Sequence, residues 1–402
     1  MVLQPDSAVP IVGLALYYGI GSRNEERGRS GFAHLFEHMM FQGSANVGKA
    51  EHFRHISAWG GQANGTTSRE RTNYFEALPS NQLGLGLWLE ADRMRSLAVT
   101  PENFENQRQT VMEERRQRID DSPYGEAMVR LGEISYRNWA YGHPVIGSWE
   151  DLKNAQFDEV VDFHQTWYRP DNAVLAIAGD VDVEQAMAWI NEFYGDIPAG
   201  PPRAAPNLTQ ELRTAAVHEQ VADPIAQLPA VFINHQAPPF NHENFPVYEV
   251  IEAILFRGQS SRVFRRLVLE EATAVQISGG YEAHNGPSLF GMFGVAGAGA
   301  HDDLGKIVAG YKEELDRMAN ALVSKRELET AIHQIQANWV FRQEGVLNRA
   351  LALGSAELFH ADPLWDKKLL DRVALVTAED VQKVVQTAFP QHGEVILEVH
   401  PR

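Results

Sequence analysis

The chain has 402 residues, with 35 Lys and Arg against 53 Asp and Glu, for a formal charge of −18. That length calls for two or three domains with full cores, and 44% hydrophobic with 22% charged residues is a globular composition. The acidic balance argues against nucleic acid as a partner because it repels phosphates, and the absence of cysteine excludes disulfides, thiolate chemistry and sulfur-based metal sites.

The longest mostly apolar stretch, Ala8 to Ile20, is shorter than the roughly 18–20 residues a membrane span needs. Within it Ile11–Tyr18 predicts a strand that leads through a turn into SGFAHLFEHMMF. Ser30 has the chemistry of a helix N-cap, and Phe32, Leu35, Phe36, Met39 and Met40 form one apolar stripe at helical spacing. At 100° per residue His34, Glu37 and His38 share the opposite face. Two His at i and i+4 point their imidazoles the same way, close enough for both to reach one Zn²⁺ at about 2.0–2.1 Å. Glu37 precedes the second His in the order His-x-x-Glu-His, where it can hold a water on that metal. A chance cluster on a helix face is the alternative. His52 and His55 in EHFRH look like a second metal pair at i, i+3 but read as a solvated helix face beside Glu51 and Arg54, and Trp59 and Trp167 as core or hinge packing rather than ligand platforms.

Further along, Asn73–Leu78 predicts a strand and Gln82–Met94 a helix. Pro101–Arg118 predicts a long helix capped by Thr100, whose inward stripe is Phe104, Gln107 or Arg108, Val111, then Glu114 or Arg115. Glu113 should face solvent. A carboxylate on the apolar side of a helix needs a partner; a zinc ion would supply one to Glu114, and so would an Arg. Arg115, Arg116 and Arg118 next to Asp120 and Asp121 read as a self-paired, solvated surface. After a strand at Ala173–Ala178, the segment IPAGPPRAAPN (Ile197–Asn207) carries four prolines and reads as a linker between halves 1–196 and 208–402.

The second half repeats the first. EHMMFQG at Glu37–Gly43 aligns with EAILFRG at Glu252–Gly258, an offset of 215, and Ile11–Tyr18 matches Ala230–His235. FDEVVDFHQTWYRPDNAVLAIAGDV resembles AEDVQKVVQTAFPQHGEVILEVHPR at the end of the chain. Leu289–Ala296 predicts a strand and Ser324–Gln343 a helix, while GVAGAGAHDDLG fails the dinucleotide fingerprint and reads as a strand end and helix cap. Strands occur singly and in hairpins between longer helices. The expected fold is α+β: two homologous domains by duplication, each a mixed, mostly antiparallel sheet with helices packed on one face.

GFAHLFEHMMFQGS, and MEERRQR with its second Glu 76 residues after His38, resemble the pitrilysin/insulinase metallopeptidases. The likeness is strongest to the mitochondrial-processing-peptidase branch and its short bacterial relatives. GSRNEERGRSG, AWGGQANGTTSRERTNYF and WYRPDNAVLAIAGDV support it, and it covers essentially the whole chain, most strongly residues 10–182. It implies a zinc endopeptidase acting on peptides, with one Zn²⁺ per chain. By position, His34, His38 and Glu114 would be the ligands and Glu37 the general base. Asn64 and Gly65 fall where the family's sheet edge pairs with extended substrate, and Gln107 where the family tends to place a second carboxylate. The second half departs from the family's active chains, which carry an Arg and a Tyr, four residues apart, to bind the substrate carbonyl. Glu271 and Val275 stand at those positions and neither donates a hydrogen bond at neutral pH. Glu249 and Ala253 stand where the second copy would have its two His. The resemblance therefore implies the zinc subunit of a heterodimer whose homologous partner bears the Arg and Tyr, with a homodimer as the alternative. A non-catalytic structural or scaffold subunit of the same fold is the rival reading. The N-terminus lacks the pattern of a secretory signal; analogy with exported bacterial relatives makes the periplasm the expected compartment and the cytoplasm the alternative.

Overall fold

A near-continuous apolar run such as IVGLALYY suits a strand buried on both faces. In the computed structural model, which describes residues 1–297, 303–389 and 393–402, that run is β2 (Ile11–Tyr18). It is the central strand of a five-stranded sheet with β1 (Val2–Pro5), β3 (Gln62–Thr67), β4 (Thr72–Pro79) and β5 (Ala173–Gly179). The order is β1-β5-β2-β4-β3, with β1–β5 parallel and the remaining pairs antiparallel. The second half builds the same sheet from β6 (Val217–Asp223), β7 (Ala230–Ala237), β8 (Ala274–Glu282), β9 (Ser288–Ala296) and β10 (Val395–Pro401). Its order is β6-β10-β7-β9-β8, again with one parallel pair, β6–β10. Identical order and strand sense are what duplication of one α+β domain produces.

The chain forms two compact units, and neither is a contiguous half. Unit 1 comprises Met1–Arg115, His143–Asn207 and Val340–Asp366; unit 2 comprises Arg116–Gly142, Leu208–Trp339 and Lys367–Arg402. The boundary expected at 197–207 is therefore only part of the division, because each half lends the other a helix. The Val346–His360 helix lies on β2 and β5, where Ala350 packs with Ala15, Tyr17 and Ala178. A Cβ on Gly13 would stand 2.7 Å from the Leu347 Cα, so glycine is what lets this helix settle on the sheet. In unit 2, helix Gly125–Ser135 places Ala127 and Ile134 against Phe232, Val395 and Leu397. The central strands β2 and β7 are buried along most of their length, and each exchanged helix covers a sheet built by the other half.

Four helices of unit 1 position the site: α1 (Phe32–Met39), α2 (Glu51–Ala58), α3 (Leu83–Ser96) and α4 (Pro101–Arg115). The α1 stripe is buried as expected, but its start differs. Gly31, with φ 93°, is the N-cap, and Ser30 lies outside the helix. The Ser30 hydroxyl instead donates to Asp151 at 2.5 Å and accepts the Ser148 N–H at 3.0 Å. The helix is capped from a distance. The Glu25 carboxylate accepts the N–H groups of Gly31 (2.9 Å) and Ala33 (2.8 Å) and meets His143 Nε2 at 2.9 Å, placing an anion where the helix end favours one.

Several local expectations fail. α4 ends at Arg115 and relaxes into a wider π-type turn, Arg116–Asp120, short of the expected Arg118. Arg115 is buried rather than solvated: its Nε donates to the Gly147 carbonyl at 3.1 Å and its guanidinium lies 5.6 Å from the Trp149 ring centroid. His52 is also buried, against Glu76 at 2.7 Å, so EHFRH is not wholly a solvated face. Trp59 is 55% exposed and is not core. The helix cap read in GVAGAGAHDDLG lies outside the described residues.

Candidate active site

α1 and α4 pack side by side and bring the sequence-predicted groups together. His38 Nε2 is 3.2 Å from Glu114 Oε2, His34 Nε2 is 3.7 Å from Glu114 Oε1, and the two imidazole centroids are 4.9 Å apart. Tetrahedral donors at about 2.05 Å from a zinc ion stand about 3.3 Å from one another. The observed spacings bracket that value, and two neutral-capable imidazoles with one carboxylate are a donor set that zinc accepts. The residues present fit the metal. Glu113 faces solvent, as the helical spacing requires.

Glu37 lies between the two His in sequence and is half-buried. Burial pushes its carboxyl above the ordinary range, and the Glu114 charge adds to the rise; the Thr67 hydrogen bond and His38 oppose it. The Thr67 hydroxyl donates to Glu37 Oε2 at 2.6 Å. Thr67 ends β3, and Arg71 ties that hairpin down by donating to the Thr66 carbonyl (2.8 Å) and to Asn73 Oδ1 (2.9 Å). Sequence reasoning missed both residues. The period-2 signal was available for Thr67, because it shares a strand face with Gly65.

β3 is the edge of its sheet, and both Asn64 and Gly65 lie on it. A Cβ at Gly65 would stand 3.0 Å from the Tyr74 ring and 3.2 Å from Glu37 Cγ, so the missing side chain brings this strand onto Glu37. Asn64 is exposed, and its Oδ1 accepts the Gly65 N–H at 2.9 Å. Gln107 is buried and donates to Asn106 Oδ1 at 2.7 Å; it supplies no charge.

The second copy keeps the geometry and loses the donor set. On helix Phe245–Phe256, Glu249 and Glu252 both pair with Arg257, at 2.9 and 2.8 Å. Gly280 approaches Glu252 as Gly65 approaches Glu37, with a would-be Cβ 3.3 Å from its carboxyl. A guanidinium thus supplies the positive charge there. Glu271 pairs with Arg266 at 2.6 Å, and Val275 is exposed.

Two family models divide the chain between them. Residues 1–148 match the insulinase family of peptidases, M16, and residues 154–335 match the M16 peptidase inactive domain. The chain belongs to family M16. This M16 chain is 29% identical to zinc protease PqqE of Helicobacter pylori over 66% of its own length; the match spans 60% of that relative. It is 24% identical to an uncharacterized zinc protease of Rickettsia bellii, covering 94% of this chain and 89% of that one. It is 21% identical to the uncharacterized zinc protease YmxG of Bacillus subtilis, covering 97% and 93%. The relatives are thus named as zinc proteases. In fold it is similar to a Helicobacter pylori protease, with a TM-score of 0.93 at 23% identity over 99% of this chain and 96% of that one. An M16 inactive-domain peptidase structure from Pseudomonas fluorescens gives a TM-score of 0.88 at 15% identity over 100% and 95%.

Proposed function

We propose that this M16 chain is a zinc endopeptidase that holds its metal on His34, His38 and Glu114 and uses Glu37 as the proton acceptor. The observation that carries the reading is the 3.2 and 3.7 Å spacing of the two Nε2 atoms from the Glu114 oxygens, with Glu37 on the same helix face. Zinc bound there would acidify water and polarise a peptide carbonyl. The protein's own groups do the rest. Glu37, its basicity raised by burial, takes a proton at its carboxylate and returns it to the leaving amine. Thr67 fixes Oε2 and so orients the carboxylate. The open edge of β3 offers backbone N–H and C=O groups to an extended peptide, a strand-addition mode in which Gly65 keeps the peptide close to Glu37.

The same reading includes a partner. Glu271 and Val275 supply no donor for a developing oxyanion, which supports a heterodimer whose related second chain brings an Arg and a Tyr. Assay on a quenched peptide tests both parts. Glu37→Gln should retain zinc and lose about 10²–10⁴-fold in turnover; wild-type turnover in that variant rejects Glu37 as the base. Adding the Arg- and Tyr-bearing chain should raise kcat/KM, and an unchanged kcat/KM would mean that this chain is self-sufficient or pairs with itself.

A further inference from the structure

His34 and His38 on α1 and Glu114 on α4 come from separate parts of the sequence, and a metal site tolerates only about 0.2 Å of error in its ligand distances. The gap between the two helices therefore has to be fixed. Apolar packing supplies part of the bracing. Helix Phe157–Trp167 sets Phe163 against Phe32 and Phe36 of α1, with ring centroids 6.0 and 5.1 Å apart, and Phe157 against Phe104 of α4 at 6.3 Å. Such contacts are non-directional and leave helices free to slide by tenths of an ångström.

Directional contacts are concentrated in residues 143–149, which touch the first turn of α1 and the last turn of α4 together. On the α1 side, His143 meets Glu25, the acceptor of the Gly31 and Ala33 N–H groups, and the Ser148 N–H donates to Ser30. Backbone meets backbone there through two left-handed glycines. A Cβ on Gly31 would stand 2.7 Å from the Ile146 carbonyl oxygen, and one on Gly147 (φ 86°) would stand 2.5 Å from that of Ser30. On the α4 side, the Gly147 carbonyl accepts the Nε–H of the buried Arg115 at 3.1 Å, and Trp149 lies against the Arg115 guanidinium. Arg115 directly follows Glu114, and Gly31 precedes His34 by three residues. Gly147 is thus wedged between two helix ends, within one turn of a metal ligand on either side.

We propose that Gly147 and Arg115 are positioning residues for the metal, and that residues 143–149 are a strap that holds α1 and α4 at the spacing His34, His38 and Glu114 require. The inference rests on the zinc reading above and adds what sets the ligand geometry. A Cβ at Gly147 collides with Ser30 and strains a left-handed backbone, so it pushes the strap off α1. Without the Arg115 guanidinium, the end of α4 is untied just before it widens into the turn Arg116–Asp120, and Glu114 turns with it.

Two measurements on the full chain test this. One is zinc affinity, by competition with a chromophoric chelator. The other is the visible spectrum of the cobalt(II)-loaded protein, which reports coordination geometry. Arg115→Met, which keeps apolar volume against Trp149, and Gly147→Ala should each weaken zinc about tenfold or more and alter the cobalt bands. Arg115→Lys keeps a donor for the Gly147 carbonyl and should recover part of the loss. Val174→Ala, on the β5 face that packs with Ala350, lowers stability away from α1 and α4 and should leave both readings as in wild type. Wild-type affinity and spectrum in Arg115→Met would overturn the proposal even if Gly147→Ala fails to fold. An equal loss in Val174→Ala would also overturn it, because instability alone would then account for the effect. Wild-type protein that takes up no zinc would overturn the metal reading itself, and the strap with it.

Discussion

Glu76, Glu90, Arg93 and His52 are buried together in unit 1 with fewer positive than negative groups. Arg93 engages Glu90 through Nε at 2.9 Å and a second guanidinium nitrogen, leaving Glu76 Oε1 2.7 Å from His52 Nε2. Neutrality in a low-dielectric interior then requires one more proton on the cluster. Burial accordingly pushes both carboxyls up to about 7 and His52 down to about 3. A carboxyl whose folded value is raised holds its proton more tightly when folded. Its contribution to stability is present below the ordinary value of 4.5 and is lost as pH rises through about 7. Denaturant unfolding should therefore give less stability at about pH 8.5 than at about pH 6, and Glu76→Gln should flatten that difference by on the order of 1–3 kcal/mol. An unaltered pH slope in Glu76→Gln would show that Glu76 does not hold the proton. Local spacing could not reveal this cluster, because the residue that buries His52 is on a strand 24 positions away. The His34–Glu37–His38 face was legible for the opposite reason: one turn of helix holds all three, and helical geometry is set locally.

At the level of elements, the α1 stripe and the strand runs were written in residue periodicity, whereas the α1 cap was not. Ser30 has cap chemistry, but Glu25, six positions before Gly31, reaches the helix end by way of a loop whose course the sequence does not disclose. Glu25→Ala should leave two backbone N–H groups and His143 without their shared acceptor and lower stability by about 2–4 kcal/mol. Unchanged denaturation midpoints would mean that water replaces the carboxylate. The β3 edge makes a different demand. Gly65→Ala puts a methyl 3.0 Å from the Tyr74 ring, which must push the strand outward from Glu37. Peptide turnover should fall by about 10–10²-fold while the melting temperature moves little; undiminished kcat/KM would show that the strand's approach to Glu37 is not needed.

For the molecule as a whole, duplication was visible as aligned segments, but the exchange of helices between halves was not. An amphipathic helix records that it has a buried face and does not record which sheet that face meets. Val346–His360 and Gly125–Ser135 each pack on the sheet built by the other half. Fragments 1–202 and 203–402 should each lack one cover of their sheet, remaining unfolded or aggregated alone and recovering native circular dichroism when refolded together. A stable, cooperatively melting fragment on its own would contradict that dependence.

The most direct measurement is anomalous scattering at the zinc edge, on crystals of the full chain grown with zinc, together with metal content in solution. One zinc per chain should lie within about 2.0–2.2 Å of His34, His38 and Glu114, and that zinc should be lost when any of the three is replaced by Ala. An anomalous peak elsewhere, or full metal content in the Ala variants, would contradict this assignment.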